Sequence, residues 1–133
     1  MQKGLFILTF ILCLLIAGCS GPIVTARTIG EIENHPRLSK SFVVNENYRS
    51  LGRKLKAGIE SRTTDFEVRL SVHNDLGISE ILAGNHAARA YLLYIKITEI
   101  SPQESKIEAF LRTLNVQYER TFHELEEIAR STQ

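Results

Sequence analysis

Apolar residues recur at helical spacing over residues 46–61. A short β-prone run, Phe42-Val43-Val44, precedes this segment, and Asn45 is predicted to cap the helix. Gly58 falls near the apolar stripe, where the missing side chain predicts close packing of the helix on a sheet. The stripe, at spacings of three, four and four, consists of Tyr48, Leu51, Leu55 and Ile59.

The hydrophobic period then changes to two. Apolar and polar positions alternate over residues 66–73, as they do in a strand with one buried face. Asn74 to Gly77 has turn chemistry, so Ile78 to Ala83 is predicted to return as a second strand. After another turn at residues 84–86, residues 90–100 form the longest β-prone run of the chain. It is apolar on both faces at its start, which is typical of a central strand.

Residues 101–131 fit two alternatives. In the first, Ser101 to Glu104 is a capping box with proline at the first helical position, followed by one helix of about thirty residues. In the second, Ser101 to Glu104 is a hairpin turn, and Lys106 to Thr113 is a fourth strand. Asn115 then caps a shorter helix over residues 116–130. In that strand Ile107, Ala109 and Leu111 share one face.

The second alternative is preferred on two grounds. The mean helix length in globular proteins is about 11–12 residues, so a thirty-residue helix is unusual in a small domain. The long strand at residues 90–100 also needs a partner on each edge. The element order is then β-α-β-β-β-(β)-α. It predicts an α+β domain over residues 39–133, with a small antiparallel sheet of three to four strands and two helices packed on one face.

The first eighteen residues have a different pattern. Lys3 supplies one positive charge, and Leu5 to Ile16 is hydrocarbon apart from Thr9. This run of about 12 residues is well short of the ~20 needed to cross a bilayer. Residues 1–18 are therefore predicted to be a secretory signal rather than a transmembrane anchor.

The end of this segment is the sequence Leu15-Ile16-Ala17-Gly18-Cys19. An aliphatic residue, two small residues and a cysteine resemble the lipobox of bacterial lipoproteins. The resemblance implies that signal peptidase recognises Leu15, Ile16, Ala17 and Gly18 and cuts before Cys19. It also implies a diacylglycerol on the Cys19 thiol and an acyl chain such as palmitate on the new amine. The alternative is an ordinary signal peptide cut elsewhere, which leaves Cys19 as a thiol.

Ser20 follows the proposed lipidation site. In the sorting rule of the family, serine permits transfer to the outer membrane, which implies a lipid anchor at its periplasmic face. Two or three acyl chains hold a protein stably, whereas one myristoyl chain does not. Residues 19–38 are predicted to form the lipidated N-terminus and a flexible tether, with Ile29 to Ile32 docking on the domain as the alternative.

Composition narrows the remaining choices. Removing residues 1–18 from the 133-residue chain leaves 115 residues, which is enough for one domain. The number of Lys and Arg residues falls from 16 to 15 and equals the 15 Asp and Glu residues, so the mature chain has no net charge. A neutral chain has no overall field to attract it to nucleic acid, so no nucleic-acid partner is expected. Cys13 leaves with the signal and Cys19 becomes a thioether, so no disulfide is predicted.

Candidate chemistry is sparse. The mature chain has four histidines; His73 has Asp75 two residues away, and His123 has glutamates at helical spacing. Exposed turns and i,i+4 pairs explain both sets better than a metal does. The chain lacks a Gly-x-Ser-x-Gly motif and a glycine-rich phosphate loop. We therefore predict no catalytic residues, no metal ligands and no cofactor beyond the lipid at Cys19, and a protein that is not an enzyme.

Charge is segregated along the mature chain. Residues 46–62 hold five basic and two acidic side chains, and residues 99–127 hold seven acidic and three basic. Two solvated helix faces that pair with one another explain this pattern. The alternative is a basic helix that faces anionic headgroups or an acidic partner, at the high effective concentration that an anchor provides.

The predicted function is that of a lipid-anchored envelope protein that acts by binding, as an accessory or assembly component with an envelope protein partner. The alternatives are a periplasmic enzyme acting on envelope polymers and an inhibitor or immunity-type lipoprotein. An assembly component is expected to expose an apolar patch or a strand edge. An inhibitor is expected to present a protruding loop, for which Asn74 to Gly77 and Gly84 to Ala88 are candidates.

Overall fold

The computed structural model describes residues 25–132, an α+β domain built on one antiparallel sheet. Within these residues the strands lie in the order β1-β5-β4-β3-β2. The elements are α1 (Ile29–Asn34), β1 (Leu38–Val44), α2 (Tyr48–Arg62), β2 (Glu67–His73), β3 (Ile78–Asn85), β4 (Ala90–Ser101), β5 (Glu104–Leu111) and α3 (Val116–Arg130).

The α+β class and the antiparallel sheet are confirmed, but the element count is corrected. Five strands replace the predicted three to four, because the run at Phe42 belongs to a seven-residue strand, β1, that pairs along β5. Three helices replace two, because α1 precedes the sheet. β4 is the central strand, as its two apolar faces predicted.

The strand-plus-helix alternative for residues 101–131 is confirmed. β5 and α3 occupy this segment, and the Asn115 side chain caps α3 by accepting from the Tyr118 N–H at 3.2 Å. The cap predicted for α2 was wrong by two residues. Asn47, not Asn45, precedes this helix, and its side chain accepts from the Arg49 N–H at 2.9 Å.

The main core lies between one face of the sheet and the two long helices. The α2 stripe and the apolar face of α3 are buried there against β3, β4 and β5. Gly58 was predicted to allow close packing of α2 on the sheet, but it allows close packing of α2 on α3. A Cβ at Gly58 would lie 2.4 Å from Ile128 Cγ2 of α3. Gly52 is the glycine that faces the sheet, where a Cβ would lie 3.2 Å from Ser79 Oγ.

The second face of the sheet carries a smaller core. Ala26 and Ile32 pack against Tyr94, so α1 and the preceding residues cover part of this face. The docked alternative for Ile29 to Ile32 is therefore the one observed, and residues 26–37 are not a free tether. Residues 19–24 of the predicted tether, and the signal segment with Leu15 to Cys19, lie outside the described residues.

Candidate binding surface

An isolated β-bridge at Ala26, before α1, marks one end of the sheet. Ala26 exchanges two backbone hydrogen bonds with Tyr91, at 2.9 and 2.8 Å, beside the start of β4. We call this the proximal end. The opposite end, where the turn at residues 74–77 and the hairpin turn at Pro102 lie, is the distal end.

Hydrogen bonds tie the distal connections to one another. Asn47 Nδ2 donates to the Pro102 carbonyl at 3.2 Å, which joins the β1–α2 connection to the β4–β5 hairpin. Arg49 Nε and the Tyr48 hydroxyl both donate to Asn74 Oδ1, at 2.7 and 3.3 Å. The distal end is therefore preorganised, which lowers the entropic cost of binding a partner there.

The distal end exposes two aliphatic residues, Leu76 on the turn before β3 and Ile100 near the end of β4, which we call the apolar pair. The Glu99 N–H donates to the Gly77 carbonyl at 2.8 Å, which holds this turn beside the end of β4. The side chains of the apolar pair are 66% and 52% exposed. Val43 and Val72 are also exposed near this end, so four of the six exposed large hydrophobic residues of the described chain lie there.

A groove of about 960 Å³ runs along the helix layer at the distal end. The N-terminal half of α2 and the end of α3 form its walls. Lys54 crosses the groove and donates to the Ala129 and Ser131 carbonyls at 3.1 and 2.8 Å, while it pairs with Glu46 at 2.5 Å. Lys54 thereby caps the C-terminus of α3, a structural task that occupies both charges of the pair.

The uncovered part of the second sheet face holds a carboxylate with two donors. Glu80 accepts from the Tyr94 hydroxyl at 2.7 Å and lies 3.1 Å from His73 Nε2. Burial, with the hydrogen bond to Glu80, raises the pKa of the Tyr94 phenol, which therefore stays protonated. This cluster lies outside the grooves along the helix layer, and its contacts stabilise the sheet face.

The structure brings His73 to Glu80 rather than to Asp75, and His123 lies 4.0 Å from Glu119 on the exposed face of α3. Among residues 25–132, no group of three or more His, Cys, Asp and Glu side chains is arranged to hold a metal ion. The described residues therefore offer no metal centre on which to build a mechanism.

The segregated charges pair in part across the helix layer. Arg62 of α2 and Glu124 of α3 form an ion pair at 2.9 Å. Glu119 instead pairs with Arg37, which precedes β1. Arg53, on the wall of the groove, is exposed and has no hydrogen-bonding or ion-pair partner within residues 25–132. Arg49 is hydrogen-bonded to the neutral Asn74 side chain and not to a carboxylate, so the basic helix retains two positive charges without an ion-pair partner at the distal end within the described residues.

Sequence reasoning missed two features of this arrangement. At the start of α1 the Thr28 hydroxyl accepts from the Glu31 N–H, and the Glu31 carboxylate accepts from the Arg27 N–H. This arrangement resembles a capping box, and its Thr-x-x-Glu signal was readable in the sequence. The contribution of Ile100 to the apolar pair was not readable, because it depends on the register between β3 and β4.

Comparison with known proteins does not assign the chain to a family. No protein-family model matches the chain, and no curated protein matches it. Within the described residues, none of the helices has the length and hydropathy that a membrane span requires.

Proposed function

We propose that this protein is a lipoprotein anchored through Cys19 at the periplasmic face of the outer membrane. Its domain acts there by binding, as an accessory or assembly component of the envelope. The motif from Leu15 to Cys19 supports the anchor. The neutral mature chain and the absence of catalytic sequence motifs support binding rather than catalysis or nucleic-acid recognition.

The observation that carries the proposal is that the point where the N-terminal segment joins the domain and the exposed apolar pair lie at opposite ends of the sheet. Ala26, seven residues after Cys19, is held at the start of β4, whereas Leu76 and Ile100 lie at the other end of the sheet. Nine residues separate Tyr91 from Ile100, a distance of about 30 Å at ~3.3 Å per residue. An anchor at Cys19 is therefore attached at the end of the sheet opposite the exposed apolar pair, which leaves this pair accessible to a partner.

The distal surface suits a protein partner. Two exposed aliphatic side chains, at an end of the sheet that also carries polar turns, suit an apolar interface centre with a polar rim. Leu76 stands on a turn, so the same surface also suits an inhibitor that inserts this turn into a target. The identity of the protein that binds this surface distinguishes the two functions. An envelope component supports an assembly role, and a secreted effector supports an inhibitor role.

Site-specific photo-crosslinking in intact cells tests the proposal. A photoreactive residue at position 76 of the lipidated protein is expected to give one discrete adduct, and Ile100→Glu is expected to abolish it. The matched control is the same photoreactive residue at Gln117, which is exposed on α3 at the proximal end. Equal adducts at 76 and 117, or an adduct that survives Ile100→Glu, would show that the distal pair is not the binding surface.

A further inference from the structure

Two exposed aliphatic side chains lie at the proximal end, Leu114 on the connection between β5 and α3 and Val116 at the first position of α3. Leu114 is 64% exposed and Val116 is 68% exposed. This connection is fixed: Arg37 Nε donates to the Thr113 carbonyl at 2.8 Å, and the Asn115 N–H donates to Thr113 Oγ1 at 3.0 Å. These apolar side chains are therefore presented by an ordered backbone.

This connection lies beside the segment that leads to Cys19. Arg112 Nη1 donates to the His35 carbonyl at 3.1 Å, and Arg112 Nη2 pairs with Glu31 at 3.4 Å. The Arg112 N–H donates to the Leu92 carbonyl at 2.8 Å, next to the Tyr91 position that holds Ala26. Leu114 and Ala26 consequently belong to the same end of the molecule.

The length of chain between Cys19 and Ala26 limits where this end can be. Seven residues span at most about 25 Å when fully extended. A lipid on Cys19 therefore keeps the proximal end within about 25 Å of the bilayer surface, and a contact at the proximal end would place the distal end farther out. At this effective concentration, a surface contact too weak to bind alone becomes occupied.

The charges at the proximal end are compatible with lipid phosphates. Arg27, Arg89 and Arg120 are exposed, and their side chains have no hydrogen-bonding or ion-pair partner in the described part of the chain. The carboxylates of Glu33 and Asp65 at the same end reduce this charge to a net +1. Glu31 and Glu119 are already paired with Arg112 and Arg37.

We propose that the proximal end rests on the lipid bilayer, with Leu114 and Val116 inserted at the boundary between headgroups and acyl chains. This inference depends on the proposed anchor at Cys19. The contact orients the domain, so that the groove and the apolar pair at the distal end face the compartment. It also places the N-terminal half of α2, with Arg49 and Arg53, toward a protein partner rather than toward headgroups.

The test uses tryptophan fluorescence, because the chain has no tryptophan of its own. Leu114→Trp is the probe and Leu76→Trp is the matched control, since the two leucines are almost equally exposed but lie at opposite ends. Each lipidated protein is placed in vesicles of phosphatidylethanolamine and phosphatidylglycerol with brominated acyl chains. We expect Leu114→Trp emission to shift to the blue and to be quenched about two-fold, and Leu76→Trp emission to be unchanged.

The outcomes separate the anchor from the orientation. If the protein purified from cells does not float with vesicles, the lipid anchor is wrong. A second sample, the mature chain coupled at Cys19 to a maleimide lipid, floats in either case and tests the orientation alone. Equal quenching of the two tryptophans, or quenching of Leu76→Trp only, overturns the orientation. Absence of quenching at Leu114→Trp in vesicles that carry no other protein also overturns it.

Discussion

At the scale of single residues, the closest approach between the two long helices depends on Gly58. Alanine improves helix propensity by about 1 kcal/mol relative to glycine. The added Cβ, however, would lie 2.4 Å from Ile128 Cγ2, on a buried branched side chain that has little room to move. Overpacking of this kind costs about 1–3 kcal/mol. We expect Gly58→Ala to lower the free energy of unfolding in urea titrations by about 1 kcal/mol, the middle of the range that these opposing effects leave.

Gly30→Ala is the matched control for this prediction. Gly30 lies in α1, where the nearest atom to an added Cβ is Thr28 Oγ1 at 4.0 Å. The same substitution is expected to be neutral or to stabilise α1 by up to about 1 kcal/mol. A Gly58→Ala variant as stable as Gly30→Ala would contradict the helix packing described here.

The phenol of Tyr94 gives the fold a dependence on alkaline pH. Burial raises the pKa of Tyr94 in the folded state, while the unfolded state titrates near pH 10. Above pH 10 the unfolded chain therefore binds fewer protons, and the stability falls by about 1.4 kcal/mol per pH unit. Tyr94→Phe removes this dependence but loses the hydrogen bond to Glu80, at a cost of about 1.5–3 kcal/mol near neutral pH.

The stability difference between Tyr94→Phe and the wild type is thus expected to narrow as the pH rises from 9 to 11. Unfolding by urea at a series of pH values measures it. Burial also raises the pKa of Tyr118, but both proteins contain this residue, so its contribution cancels in the comparison. Parallel pH profiles for the two proteins would rule out a protonated, buried Tyr94.

At the scale of elements, α1 lies between the proposed anchor at Cys19 and the sheet. Ile32 is fully buried against the second sheet face, and Ile→Ala at such a site costs about 2–5 kcal/mol. We expect Ile32→Ala to undock residues 26–37 and to speed amide hydrogen exchange at Ala26 and Tyr91 by at least about tenfold.

Glu33→Ala, on the exposed side of the same helix, is the control and should leave that exchange unchanged. Rapid exchange at Ala26 in the wild-type protein would show that this segment does not dock. The fixed proximal end, and the orientation built on it, would then be lost.

The predictability of each element followed from its local pattern. β2, α2 and α3 have clean periods of two or 3.6, β4 is a long β-prone run with two apolar faces, and all four were found in the sequence. Half of β1 was missed because Lys40 interrupts its apolar alternation. The structure explains this position: the Lys40 ammonium lies 4.8 Å from the centre of the Phe122 ring, where burial lowers its pKa.

Only the part of the candidate surface that is formed by consecutive residues was predictable from the sequence. The turn from Asn74 to Gly77 was identified from its residue types, and with it the exposed position of Leu76. The neighbouring Ile100 comes from a different strand, twenty-four residues along, and its place depends on a strand register that single-sequence patterns do not determine. The docking of Ala26 on Tyr91 was missed for the same reason.

At the scale of the whole molecule, the six exposed large hydrophobic residues divide between two ends. Four lie at the distal end and two at the proximal end, with none between them in the described chain. The segment that leads to Cys19 joins the domain at the proximal end, which has two of these exposed hydrophobic residues. In this account the proximal pair contacts lipid and the distal end contacts a protein, so the position of the anchor determines which surface can meet a partner.

Every part of this arrangement depends on what is bonded to the sulfur of Cys19. Intact mass analysis of the protein isolated from its own cell envelope measures this directly. The account predicts a 115-residue chain that begins at Cys19 and is heavier than its sequence by a diacylglycerol and an amide-linked fatty acid. A chain that keeps residues 1–18, or one that begins with an unmodified cysteine, would contradict it.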